Sequence, residues 1–155
     1  MSDATITVEP LTSDDALTLI AELNAELTER YPDPAHRFFG LTAEQVAPGK
    51  GAFLIARLRE RPVGCGALRR IDAITGEIKR MYVSPSARGA GIGARLLAEL
   101  EAHARALGLR RVVLETGERQ HEAVRLYERA GYAEIPRFGE YENSPMSLCM
   151  GKTLS

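Results

Sequence analysis

Residues 83–94 read Val83-Ser84-Pro85-Ser86-Ala87-Arg88-Gly89-Ala90-Gly91-Ile92-Gly93-Ala94. An apolar-rich strand, Glu77 to Val83, leads into this stretch. A helix leaves it, expected to open at Gly89, with Ile92, Leu96, Leu100 and Leu107 on one face and Gly108 as its stop. Three glycines at alternating positions bare the backbone where that helix begins. The first N–H groups of a helix have no partner inside it, and its dipole puts partial positive charge there. The combination is a cradle for phosphate or pyrophosphate. Arg88 adds a donor able to make two bonds at its mouth.

Other glycine loops fit less well. A Walker A loop needs Lys-Ser/Thr after its last glycine, and here Ala94-Arg95 follows. Gly89 to Ala94 does match the dinucleotide pattern G-x-G-x-x-A. A dinucleotide loop, however, leaves its strand directly into the first glycine, and here Ser84 to Arg88 intervene. A glycine-rich helix start that serves only close packing stays open at this point.

Outward from the loop, the chain alternates short elements. Thr5 to Glu9 reads as a strand. Thr12 and Asp15 read as a capping box for a helix carrying Ala16, Ile20, Leu23 and Leu27, which stops before Pro32. A second short helix is expected around Thr42 to Val46. Ala52–Arg59, Val63–Ile71 and Glu77–Val83 form an antiparallel meander, with turns at Arg61-Pro62 and Asp72–Gly76. A strand at Arg111–Glu115, a helix at Glu118–Ala130, and strands from Tyr132 to Ile135 and within Pro145–Leu154 complete the order. A helix between the strands at Glu77 and Arg111 predicts a parallel crossover beside the meander. The fold class is therefore α/β in the α+β sense: a mixed sheet, mostly antiparallel, with one parallel pair at the cleft and helices on both faces.

Composition sets bounds. At 155 residues, with 45% apolar and 26% charged, the chain is the size and make-up of one globular domain, residues 1–155. Twenty basic and 21 acidic residues leave a net charge of −1, so no global field draws nucleic acid or an anionic membrane. Cys65 and Cys149 make neither a C-x-x-C nor a disulfide scaffold. His36, His103 and His121 have no metal-ligand spacing, so no metal is expected. With no signal peptide and no apolar run of about 18 residues, the expected compartment is the cytoplasm.

Two stretches together carry a resemblance. Glu77-Ile78-Lys79-Arg80-Met81-Tyr82-Val83-Ser84-Pro85 followed by Arg88-Gly-x-Gly-x-Gly resembles the acyl-CoA motif of the GNAT superfamily of N-acetyltransferases. Ala123-Val124-Arg125-Leu126-Tyr127-Glu128-Arg129-Ala130-Gly131-Tyr132 is similar to that family's A-x-x-L-Y-x-x-x-G-F/Y segment. The two lie in the family's order and spacing. One departure is Gln120, where the family often has Asn.

The resemblance implies an acetyl-CoA-dependent N-acetyltransferase acting on a primary amine of a small or amino-acid-like molecule, by direct attack in a ternary complex. Arg88 and the backbone of Gly89, Ala90, Gly91, Ile92, Gly93 and Ala94 would hold the pyrophosphate. Met81, Tyr82 and Val83 would meet the pantetheine arm and polarise the thioester, with Gln120 and Tyr127 also on the cofactor. Tyr127 is the candidate general acid. A phenol at about 10 and a thiol at about 8.5 make that proton transfer only modestly uphill. Glu77 and Glu115 are candidate bases near where the paired strands would splay, and water is a third. Tyr31, Arg37, Phe38, Phe39, Phe138 and Tyr141, with Glu115, are the candidate acceptor wall. A protein N-terminus or lysine as acceptor, a silent CoA-binding module, a nucleotide-binding or interaction domain, and a homodimer through the C-terminal strands are the other readings open.

Overall fold

The computed structural model describes residues 3–32 and 40–155. One seven-stranded sheet organises them. Its strands are β1 (Thr5–Val8), β2 (Gly51–Leu58), β3 (Arg61–Arg70), β4 (Thr75–Val83), β5 (Arg111–Gly117), β6 (Ala133–Ile135) and β7 (Ser147–Thr153). They lie in the order β1-β2-β3-β4-β5-β7-β6. Every pairing is antiparallel except β4 with β5. The helices are α1 (Asp14–Arg30), α2 (Ile92–Ala106) and α3 (His121–Arg129). The mixed sheet with one parallel pair is the architecture expected from the sequence.

Strand periodicity explains the layers. Along β2, Ala52, Leu54 and Ala56 face a core shared with Ile92, Leu96, Leu97 and Leu100 of α2 and Tyr127 of α3. Phe53 and Ile55 point the other way, onto Ala16, Leu19 and Leu23 of α1. Successive side chains of a strand alternate faces, so one apolar strand feeds two cores.

Local differences from the sequence reading have physical causes. The cap of α1 is Ser13, whose hydroxyl accepts from the Ala16 N–H at 3.1 Å, so Thr12 and Asp15 form no capping box. The stretch after Thr42 closes only a 3₁₀ turn, Glu44–Val46, too short to count as a second helix. The helix expected from Gly89 starts at Ile92, with a 3₁₀ turn at Pro85–Ala87 before it. Gly91 caps it at φ +79°, a conformation an L side chain resists.

The cleft arises from two irregularities. The β4–β5 ladder pairs Thr75 with Arg111 through Ile78 with Leu114 and then stops. Beyond it the two strands splay. On β4's other side, Cys65 pairs with Tyr82 and Ala67 with Lys79, so Arg80 and Met81 together oppose Gly66. This is a β-bulge, and Arg80 sits in it at φ +57°. A non-glycine residue held there costs roughly 1–2 kcal/mol. The bulge bends β4 just where its β5 partner is lost.

Candidate active site

The splayed strands open two adjoining cavities. The larger, about 560 Å³, is bounded by Met81 to Val83 of β4, the glycine loop and α3. The smaller, about 100 Å³, lies between Lys79–Met81 of β4, Glu115–Gly117 of β5, Tyr31 and Tyr141. Leu23, Met81, Gln120, Ala123 and Tyr127 line both.

The larger cavity suits a pyrophosphate. Gly89 and Gly91 have φ of +87° and +79°, and a Cβ at either would meet nothing within 4 Å. Among the described residues, no acceptor is set to the N–H groups of Gly89 through Ala94; the first bonded amide is Arg95, donating to the Gly91 carbonyl. Six amides at a helix N-terminus are therefore left without an acceptor, and Gly89, Gly91, Gly93 and Ala94 line the cavity. Gly93 serves the other purpose left open above: its Cβ would stand 3.1 Å from Leu126, so it lets α2 close on α3. Arg88 donates from Nε to the Val83 carbonyl at 2.9 Å and from Nη2 to Glu26 at 2.6 Å, and stacks 5.9 Å over Tyr82. Ala90 and Ile92, both expected on the cofactor, do not line the cavity, Ile92 being core.

Tyr127 stands at the junction. Its ring is 4% exposed and packs edge-on against Tyr132 at 6.0 Å. Among the described residues its hydroxyl has no hydrogen-bond partner, yet no buried side-chain polar atom is left unsatisfied, so that hydroxyl reaches the cleft. Burial, then the Glu115 charge, push its pKa up, keeping it protonated. Gln120 precedes α3 and lines both cavities, its side chain making no cap bond.

The two candidate bases part company. Glu77 does not stand at an open strand end. It is 0% exposed, still paired within the ladder opposite Val113, and lines neither cavity. Arg69 bridges it at 2.7 Å and the Tyr141 hydroxyl donates to it at 2.6 Å. Its surroundings suit holding Tyr141 in place, and not taking a proton from a substrate. Glu115 begins the splayed part of β5 and lines the smaller cavity. Burial raises its pKa, against a Ser147 hydroxyl bond at 2.6 Å that lowers it; the Glu77 charge raises it further.

The aromatic wall is partly assembled. Tyr31 and Tyr141 line the smaller cavity, and Phe138 supports Tyr141 edge-on at 5.2 Å without lining it. The Tyr31 hydroxyl accepts from the Arg119 N–H at 2.8 Å. A Cβ at Gly117 would fall 1.9 Å from that hydroxyl, so only glycine fits there. Arg37, Phe38 and Phe39 lie outside the described residues. The sequence reading missed Lys79, Arg80, Glu26 and Thr116 as lining residues. Two adjacent cations inside an apolar strand were the signal for the first two.

A groove and a smaller pocket that meet beside the Tyr127 phenol suit the transfer of a group between two bound molecules. The acetyltransferase (GNAT) family model matches residues 16–132, and the chain belongs to that family. It is an acetyl-CoA-dependent N-acetyltransferase, EC 2.3.1.-. An IAA acetyltransferase of Azospirillum brasilense is 40% identical over 99% of this chain and 100% of its own. A Klebsiella pneumoniae structure, provisionally assigned as an acyl-CoA N-acyltransferase, superposes with a TM-score of 0.85 at 36% identity, covering 99% of each chain. An Elizabethkingia anophelis GNAT acetyltransferase with acetyl-CoA bound shares the fold, with a TM-score of 0.71 at 20% identity over 99% and 100% of the chains. Among the described residues, no helix is long and apolar enough to cross a membrane, and no cluster of His, Cys, Asp or Glu could hold a metal.

Proposed function

We propose that this chain moves an acetyl group from acetyl-CoA to the primary amine of a small or amino-acid-like acceptor, by direct attack in a ternary complex. The observation that carries this reading is the junction: donor groove and acceptor pocket share five residues, among them Tyr127, whose hydroxyl has no hydrogen-bond partner among the described residues. Acetyl-CoA supplies the activated thioester. The amides of Gly89 to Ala94 and, once it leaves Glu26, Arg88 hold the pyrophosphate. The edge of β4 from Met81 to Val83, past the end of its β5 ladder, has no strand partner on the cleft side among the described residues and presents fixed amides to the pantetheine and the carbonyl. Glu115, with its raised pKa, receives the amine proton directly or through water. Tyr127 donates to the departing sulfur. Cys65 and Cys149 line neither cavity, and burial pushes the Cys65 thiol up to about 12, so neither suits an acyl-enzyme route.

Thiol release from acetyl-CoA across a panel of amines, amino acids and peptides tests the reading. Initial-velocity lines that intersect support direct attack; parallel lines refute it. Turnover of peptides with no small amine accepted would refute the acceptor class. Gly91→Glu places a carboxylate in the cradle and strains a positive φ. It is expected to weaken CoA binding by about 100-fold or more, roughly 3 kcal/mol. Unchanged affinity by calorimetry would refute the cradle.

A further inference from the structure

Arg80 is a guanidinium in want of an anion. Its Nη1 donates to Asn24 Oδ1 at 3.0 Å, and among the described residues this is its only side-chain bond and no carboxylate lies within ion-pair distance. Two other sheet arginines are treated differently: Arg57 meets Glu9 and Asp15, and Arg69 meets Glu77. A guanidinium has five N–H donors, and a half-buried one left with a single neutral partner keeps most of its desolvation cost. Arg80 lines the smaller cavity and not the donor groove. The bulge puts it there, at the cost of a positive φ. Lys79 stands beside it, its side chain 5% exposed, with Glu140 only at 3.8 Å and the Tyr141 ring at 5.8 Å. Glu115 faces the same cavity from β5. One arm of the splayed pair thus offers two cations and the other offers one carboxylate.

We propose that the acceptor carries a carboxylate beside its amine, and that Arg80, backed by Lys79, is the side chain that recognises it. The inference rests on reading the smaller cavity as the acceptor pocket. A zwitterion satisfies both arms at once, its ammonium toward Glu115 and its carboxylate on the planar guanidinium. A neutral amine would leave the half-buried Arg80 with Asn24 and no anion. A doubly charged phosphate would face Glu115 at close range.

The test is calorimetric binding in saturating CoA, so it does not depend on turnover. The probes are glycine, serine, glutamate and phenylalanine, the four matching carboxamides, and phosphoethanolamine. At least one acid is expected to bind tenfold or more tighter than its carboxamide. Arg80→Gln should lose about 30-fold in affinity for that acid and less than twofold for the carboxamide, with CoA affinity unchanged; Arg80→Lys should recover part of the loss. Arg80→Gly relaxes the positive φ while removing the guanidinium, so a folding defect in the first variant does not hide the result. Equal binding of acids and carboxamides, no binding of any acid, preference for phosphoethanolamine, or an equal loss on acid and carboxamide would each overturn the proposal. Failure of the functional reading looks different: no CoA binding and no amine-dependent thiol release.

Discussion

Replacing Tyr127 by Phe removes one oxygen from the junction of the two cavities. The structure separates what that oxygen does for stability from what it does for rate. The ring stays packed on Tyr132 and in the core, and no protein group among those described loses a hydrogen-bond partner. The melting temperature is therefore expected to move by less than about 2 °C, within the ±0.5 kcal/mol of a neutral substitution. The rate should respond strongly. At pH 7.5 a free thiol with a pKa of about 8.5 lies one unit above the medium, so expelling an unprotonated thiolate costs at least about 1.4 kcal/mol, or tenfold. A positioned acid contributes about 10²–10⁴-fold in general, which sets the upper end. The expected loss in kcat is thus between about 10- and 10⁴-fold, with KM for acetyl-CoA little changed. Steady-state thiol release beside a thermal melt reads both. Full activity in the Phe variant would refute the assignment. So would a raised KM at unchanged kcat, which would make the hydroxyl a binding group only.

Three further outcomes follow from the geometry. Glu26→Gln frees Arg88 from a part-buried ion pair worth about 1 kcal/mol, so CoA affinity by calorimetry should rise about fivefold; weaker binding would contradict the competition. For Glu115→Gln, the acid limb of the kcat/KM profile, along which the wild-type rate climbs with pH as Glu115 ionises, should flatten. The folded-state pKa of Glu115 is raised, so its stabilising contribution is complete below the unfolded carboxylate pKa and is lost as pH rises through the folded one. The variant should consequently be as stable as wild type at pH 7, or more so, by denaturant melt. Tyr141→Phe strips the short donor from buried Glu77 and should cost about 2–3 kcal/mol in urea unfolding; a change under 0.5 kcal/mol would refute the positioning role.

The sheet and its single parallel pair were legible because periodicity reports burial, and burial on both faces of β2 follows from Phe53 and Leu54 pointing opposite ways. The glycine loop was legible because positive φ and open space restrict Gly89 and Gly91. Side chains whose roles depend on where a ladder ends were not. Glu77 and Glu115 look alike as strand carboxylates. Which one faces the cleft is decided by pairing that stops at Ile78 and Leu114, a tertiary fact with no local marker. Arg80 was hidden for a related reason: a bulge breaks the alternation that sequence reading relies on, and only the opposing strand reveals it. Ser13 outcompeted Thr12 as a cap by one residue, a boundary that propensity does not resolve.

The bulge at Arg80 and Met81 also divides labour between neighbours. Met81 touches both cavities, while Arg80 belongs to the acceptor side alone. The bend that shapes the cleft is a property of the main chain, held by the Cys65 thiol donating to the Arg80 carbonyl at 3.3 Å, so any side chain that tolerates a φ of +57° at residue 80 leaves it in place. On the proposed role of Arg80, descendants of this sequence can change which acceptor they take by drifting at one position while the groove that takes the donor stands untouched.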